Sequence, residues 1–241
     1  MSLLDPIAPV RAAVGGLLTV LHDLLAGTGL DPAAGTTWLL AVALLVVVVR
    51  AALLPLAVRS YRSGLRMRAL QPELARIRER FAGRSDAAAR REVAERTAAL
   101  YRERGIRPLA AFVPLLIQIP LFLGLVQALE HAAHASGTAA LGSFAAAVAF
   151  GAPLAAAAFA GGAPSAFVGI AFLVISAGAQ VLTQHVATAG AAPGGRLLLL
   201  LPVVTAAAGF AFPIGVTAYW ACSALWTLGQ QLVLSRVVRL A

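Results

Sequence analysis

The sequence predicts an all-α membrane protein: five transmembrane helices around a hydrophilic groove, with a cytoplasmic antiparallel helical hairpin and an N-terminal interfacial helix. Three observations carry this expectation. Hydrophobic residues make up 60% of the 241 and charged residues only 12%, a balance foreign to water-soluble domains. Several apolar runs approach the roughly twenty residues a helix needs to cross about 30 Å of hydrocarbon. The net charge of +9 is also localised: fourteen of the nineteen arginines, against six acids, fall between Arg59 and Arg107. A basic excess confined to one loop reports topology rather than nucleic-acid binding.

In residues 1–35, Ile7, Val10, Val14, Leu17, Leu18, Leu21 and Leu25 recur at helical spacing, with Arg11, Thr19 and His22 off that stripe. This suits a helix lying in the interface; a buried N-terminal arm is the alternative. Asp5 and Pro6 stand where a signal peptide carries basic residues, so none is read. Pro32 and the glycines around it then break the helix.

Residues 36–58 form the first span, which contains Arg50. Eight apolar residues separate it from Arg59, roughly 13 Å of helical rise, farther than an arginine side chain snorkels. A charge held there costs about 2.5–3.5 kcal/mol on insertion. It is either a stray arginine near a helix end or one lining a wet, protein-enclosed cavity; the spacing favours the cavity.

Residues 59–107 read as the hairpin. Leu70, Leu74, Ile77 and Phe81 make one apolar stripe, residues 82–86 a turn, and Val93, Thr97, Leu100 and Tyr101 a facing stripe. Glu92 and Arg96 pair at i,i+4; Gly105 and Pro108 end the second helix. The arginines place the hairpin in the cytoplasm. Residues 108–130 form the second span, with Pro114 and Pro120 around Gln118. Residues 131–163 read as an extracytoplasmic loop or interfacial segment, apolar from 144 to 160 but broken by Gly151 and Pro153. Spans at 164–186, 197–212 and 214–235 follow, separated by a cytoplasmic loop at 187–196 and ending in a tail at 236–241. This count keeps Arg196, Arg236 and Arg239 on the hairpin's side and Asp5, Asp23, Asp31 and Glu130 on the other. The N-terminus is then outside and the C-terminus cytoplasmic.

Several chemistries are excluded. There is no lysine, hence no Walker A loop for an ATPase. The one cysteine, Cys222, permits no internal disulfide. Glu130, His131 and His134 lack the HExxH spacing of a metalloprotease, and no GxSxG site accompanies a histidine. No metal, cofactor or catalytic residue is expected, and the chain does not read as an enzyme. Gln118, Gln180, Gln184, Thr217, Tyr219, Ser223, Thr227, Gln230 and Gln231 are polar groups in or at the ends of spans. Singly each reads as interhelical glue; together with Arg50 they read as the lining of one hydrophilic recess.

Three stretches, VVVRAALLPLAVRSYRSGLRMRALQPEL, LYRERGIRPLAAFVPLLIQIPLFLGLVQAL and LPVVTAAAGFAFPIGVTAYWACSALWTLGQQLVLSR, resemble the signature blocks of the YidC-type membrane protein insertases, in the short form without a large extracytoplasmic domain. The resemblance covers roughly residues 36–130 and 165–239. It implies that Arg50 is the groove arginine, that Gln118 is the polar position of the second span, and that Tyr219 and Trp220, after Pro213 and Gly215, touch nascent chains. Gln180, Gln184, Thr217 and Ser223 are expected to complete that groove. The hairpin arginines, Arg59, Arg62, Arg66, Arg68, Arg76, Arg78 and Arg80, are expected to recruit partners.

The implied function is insertase and membrane chaperone: polar tails of small membrane proteins pass along the groove and their apolar segments move into lipid, alone or with the Sec translocon. Nascent membrane proteins, the bilayer and in some members the ribosome are the implied partners, and the bacterial plasma membrane the implied location. The sequence departs from the family in lacking an N-terminal lipoprotein cysteine, the Asp-Leu-Ser type sequence after the second span and a long basic tail. Ala224 stands where an asparagine is often found. Two other classes are compatible with a charged span: a small transporter or channel using Arg50 as an anion site, and a structural subunit pairing Arg50 with a partner helix.

Overall fold

The computed structural model describes residues 5–84, 86–106, 113–134, 141–188 and 201–237. Nine α-helices are found among the described residues: α1 (Ala8–Gly27), α2 (Gly35–Ala52), α3 (Leu54–Ala69), α4 (Gln71–Arg80), α5 (Ala87–Glu103), α6 (Val113–His134), α7 (Gly162–Thr188), α8 (Leu201–Gly209) and α9 (Ile214–Val237). The chain divides into two compact units, Met1–Ala52 with Ile119–Ala241, and Leu53–Gln118. Arg107, Pro108, Arg196, Arg239 and nearly all of the predicted loop at 187–196 lie outside the described residues.

In the first unit α9 packs on both α2 and α7, while α1 packs on α2 and α8 on α7. Trp38, Leu45, Phe144, Leu125, Leu129, Leu154 and Ile214 are fully enclosed in its core. The helix expected in the interface, α1, buries Val14, Leu18, Leu21 and His22 against the bundle and leaves Val20 and Leu24 exposed. Gly124 of α6 lets the two backbones approach: a Cβ there would sit 3.2 Å from the backbone of Arg11. Arg11, off the apolar stripe, donates to Gln127 at 3.0 Å and to Asp5 at 3.1 Å.

Three helices among the described residues are long and apolar enough to cross a membrane: α1, α2 and Gly162–Ala187 of α7. The apolar part of α6, Leu116–Ala132, is shorter. The 24 residues of α9 are diluted by Thr217, Tyr219, Ser223, Thr227, Gln230 and Gln231. The helix of the expected first span, α2, ends at Ala52, short of residue 58. Pro55 has no N–H to offer the Ala51 carbonyl, which interrupts the hydrogen-bond ladder, and α3 restarts with that proline in its first turn. Arg50 therefore occupies the last turn of α2, where free carbonyls favour a cation.

The apolar run 144–160 forms no crossing helix. A 3-10 turn at Gly142–Phe144 leads into a two-stranded antiparallel hairpin, β1 (Val148–Ala149) and β2 (Ala152–Pro153). Its backbone is satisfied internally: Leu154 N donates to the Ala147 carbonyl, Gly215 N to Leu154 and Ile214 N to Ala156, all at 2.9 Å. Gly35 is required at the start of α2, because a Cβ there would collide with the Val148–Ala149 backbone. Phe150 and Gly151, the turn residues, have φ of 53° and 77°, matching a type I′ turn. Glycine takes that conformation freely; a phenylalanine there stores about 1–3 kcal/mol of strain.

In the second unit Leu70, Leu74, Leu100 and Ile106 form the core, flanked by Met67, Ile77 and Tyr101. Leu70, Leu74 and Ile77 of one expected stripe meet Leu100 and Tyr101 of the other; Val93 and Thr97 are not in that cluster, and Phe81 lies beneath the guanidiniums of Arg84 and Arg96, 6.0 and 5.0 Å from its ring centre. Glu92 and Arg96 pair at 2.6 Å, and Arg104 bridges from the end of α5 to Glu73 of α4 at 2.9 Å. Gly105, at φ 61°, closes α5: Ile106 N bonds the Tyr101 carbonyl and Gly105 N that of Arg102, the two bonds of a Schellman cap. Asp86 caps the other end by accepting from Ala89 N at 2.6 Å. Asp86→Ala is expected to destabilise the hairpin by about 1 kcal/mol, read as faster amide exchange in the first turn of α5 with little change elsewhere.

Candidate functional site

Arg50 is half-buried and donates through Nη2 to Ser223 Oγ of α9 at 2.7 Å. The two residues are 173 positions apart, and the packing of α2 on α9 brings them together. One turn further along α9, Thr227 donates to the Ser223 carbonyl at 2.8 Å. No carboxylate pairs with Arg50 among the described residues. A full positive charge is thus held beside a neutral hydroxyl, which orients it without cancelling it. Ser223→Ala is expected to cost about 1 kcal/mol, the worth of one hydrogen bond to a half-exposed charge; thermal unfolding in detergent checks it, with Ser223→Thr as the control that keeps the hydroxyl.

The first unit's other groove candidates are held by partners of their own. On α7, Gln180 donates to Ser176 Oγ at 3.0 Å, and its Oε1 lies 3.3 Å from the Thr205 hydroxyl of α8. This polar staple joins the two helices, and Ser176 and Thr205 are members the sequence reading missed. The i,i+4 spacing of Ser176 and Gln180 was the available signal. Gln184, half-buried, follows one turn later. Trp226 donates to Gln230 at 3.1 Å within α9.

Thr217 was expected to line the groove, but it is 0% exposed and its hydroxyl donates to the Ile214 carbonyl at 2.9 Å. It offers a substrate no surface in this conformation, because the first turn of α9 is covered by the segment around Phe144 and Leu154. Tyr219 is 8% exposed and stacks on Phe122 of α6 with ring centres 6.1 Å apart. Trp220 is more open, between Phe122 at 5.8 Å and Phe212 at 5.4 Å. The pair therefore belongs to an aromatic wall that also includes Phe122 and Phe212. Cys222 is half-buried on the same helix.

In the second unit, Gln118 is half-buried near the start of α6. Arg59, Arg62, Arg66 and Arg68 lie on α3, and Arg76, Arg78 and Arg80 on α4, all at least partly open to solvent. None of the seven forms an ion pair among the described residues. Glu130 and His131 join no group of three metal-binding side chains among the described residues.

Comparison with known proteins places the chain in a family. The family model described as 60Kd inner membrane protein matches residues 29–240. The membrane protein insertase YidC of Tropheryma whipplei (strain Twist) is 29% identical over 253 residues, covering 93% of this chain and 82% of that protein. A protein of the same name from Streptomyces avermitilis is 31% identical over 228 residues, 84% of this chain and 52% of its own length. Membrane protein insertase MisCA of Bacillus subtilis (strain 168) is 33% identical over 95 residues, 39% of this chain and 36% of that protein. A match that begins before α2 and runs past the end of α9 takes in both Arg50 and its partner Ser223, and on that extent the chain belongs to the 60Kd inner membrane protein family, the family of the YidC insertases.

Proposed function

We propose that this chain is a membrane protein insertase and chaperone that draws the polar tails of small membrane proteins past Arg50 and releases their apolar segments into lipid. The observation that carries this reading is the uncompensated charge: Arg50 sits at the end of an apolar span, bonded to the Ser223 hydroxyl and to no carboxylate among the described residues. A structural arginine in that setting would be expected to bond a carboxylate. One that waits for an acidic tail must be left without one, because the attraction between charges is several-fold stronger in a low-dielectric recess than in water.

In this reading no bond is made or broken, in keeping with relatives that are insertases and not enzymes. Trp220, with Tyr219 behind it, supplies an apolar wall for the substrate segment, whose transfer from water gains about 25 cal/mol per Å². Gln180 and Gln184 of α7 supply further polar groups within the same unit. The five-span topology, N-terminus outside and C-terminus in the cytoplasm of a bacterial plasma membrane, follows from the arginine distribution. The hairpin, with Arg59, Arg62, Arg66, Arg68, Arg76, Arg78 and Arg80 on its surface, then faces the cytoplasm and recruits anionic partners such as the ribosome or the Sec translocon.

The test is insertion of a single-span substrate into proteoliposomes holding this protein alone. Protease protection of the translocated tail supports the reading; solute flux without any polypeptide insertion would transfer Arg50 to an anion-transport role.

A further inference from the structure

Residues 141–161 carry no charged side chain and a single polar one, Ser143, an unusual composition for a water-exposed loop. Their non-helical backbone is buried and bonded within the protein, with Ala147, Ala149, Ala152 and Leu154 essentially inaccessible, the condition under which irregular backbone is tolerated at membrane depth. The tip is the opposite. Val148 is 49% and Phe150 71% exposed, and Phe150 holds a left-handed conformation that a bulky side chain rarely adopts.

The occupant of this surface is set by its surroundings. Gly151 is fixed on the first turn of α7, where a Cβ would lie 3.4 Å from Pro164. One turn on, Phe167 is 77% exposed, and it continues into Ile170 and Val174 along a helix long and apolar enough to cross the bilayer. Phe159, also exposed, stacks on Phe210 at 5.0 Å. The exposed phenylalanines are thus continuous with the lipid-facing side of α7. A phenylalanine carries no polar atom, so burying its ring among acyl chains costs no hydrogen bond.

We propose that residues 141–161 form a membrane-embedded re-entrant segment whose Phe150 turn is inserted among lipid acyl chains beside the first turn of α7. The strained turn is retained because it aims the phenylalanine outward. An Asn-Gly turn would suit the backbone better but would leave the tip with no apolar side chain.

The experiment places single spin labels at Val148→Cys and at Phe150→Cys, each in a Cys222→Ser background and reconstituted in lipid bilayers, and compares collision with oxygen and with a water-soluble nickel chelate. Phe167→Cys is the lipid reference and Arg91→Cys the aqueous one. Both tip labels are expected to prefer oxygen, as at Phe167, and Phe150→Asn is expected to remove that preference at Val148 while thermal stability in detergent holds or rises. Nickel accessibility matching Arg91 at both tip sites overturns the proposal. So does protection from both reagents with dipolar broadening between labels, which would assign the tip to a second copy of the chain.

Discussion

Arg50→Ala is expected to reduce insertion of a single-span substrate with an acidic translocated tail by about tenfold or more, equivalent to about 1.4 kcal/mol. Tenfold is the lower bound. Two unit charges about 4 Å apart attract by about 4 kcal/mol at an effective dielectric near 20, before the cost of stripping water from the tail. Because the Ser223 hydroxyl is neutral, no internal ion pair has to break first. Arg50→Lys should keep most of the activity: it retains the charge and loses only the guanidinium's geometry. Replacing the tail's acids by their amides should remove most of the difference between the native protein and the Arg50→Ala variant, since the charge then has nothing to attract. Equal insertion by all variants would leave the shape and hydration of the recess as the whole mechanism.

The helical class, the basic hairpin and the charged residue of the first span were legible in the sequence, because each rests on local composition or spacing. Glu92 with Arg96, the Gly105 terminus and the meeting of Leu70, Leu74 and Ile77 with Leu100 and Tyr101 are short-range patterns that a helical wheel displays. The bond between Arg50 and Ser223 is different in kind. Its partners are 173 residues apart, and a serine amid apolar residues carries no mark of which helix it will face. Pro55 was visible, yet a proline near a span's end is tolerated in many membrane helices, so the break at Ala52 needed the structure. The enclosure of Thr217 was hidden for a similar reason. Its polarity was legible, but the turn that holds it is covered at Gly215 by Phe144 and Leu154, which come from a segment with no periodicity. Ten of the 21 residues in that segment, 141–161, are alanine, and neither helical nor alternating patterns mark its register.

Trp38→Ala is expected to be the most damaging substitution to stability in the first unit, at about 3–5 kcal/mol. Trp38 is 1% exposed. His22 of α1 stacks on its ring at 3.9 Å, and Phe144 meets it edge-on at 5.6 Å. It therefore ties α1, α2 and the 141–161 segment to one another, and no neighbouring side chain can refill its volume without moving one of them. His22 is itself fixed by Pro32, whose carbonyl lies 3.0 Å from Nε2, so losing the indole also loosens the connection between α1 and α2. Because the unfolded helices remain in lipid or detergent, much of the apolar transfer term cancels, and the lost packing sets the cost. The indole N–H has no partner among the described residues, and an unpaired buried donor carries a penalty of about 1–3 kcal/mol. Trp38→Phe removes that donor while keeping a ring against His22 and Phe144, so it should cost far less than Trp38→Ala and fall near the wild type. Thermal unfolding in detergent distinguishes the two. A Trp38→Phe protein as unstable as Trp38→Ala would mean that the indole N–H is bonded in solution and that its hydrogen bond, not the ring packing, holds α1 to α2.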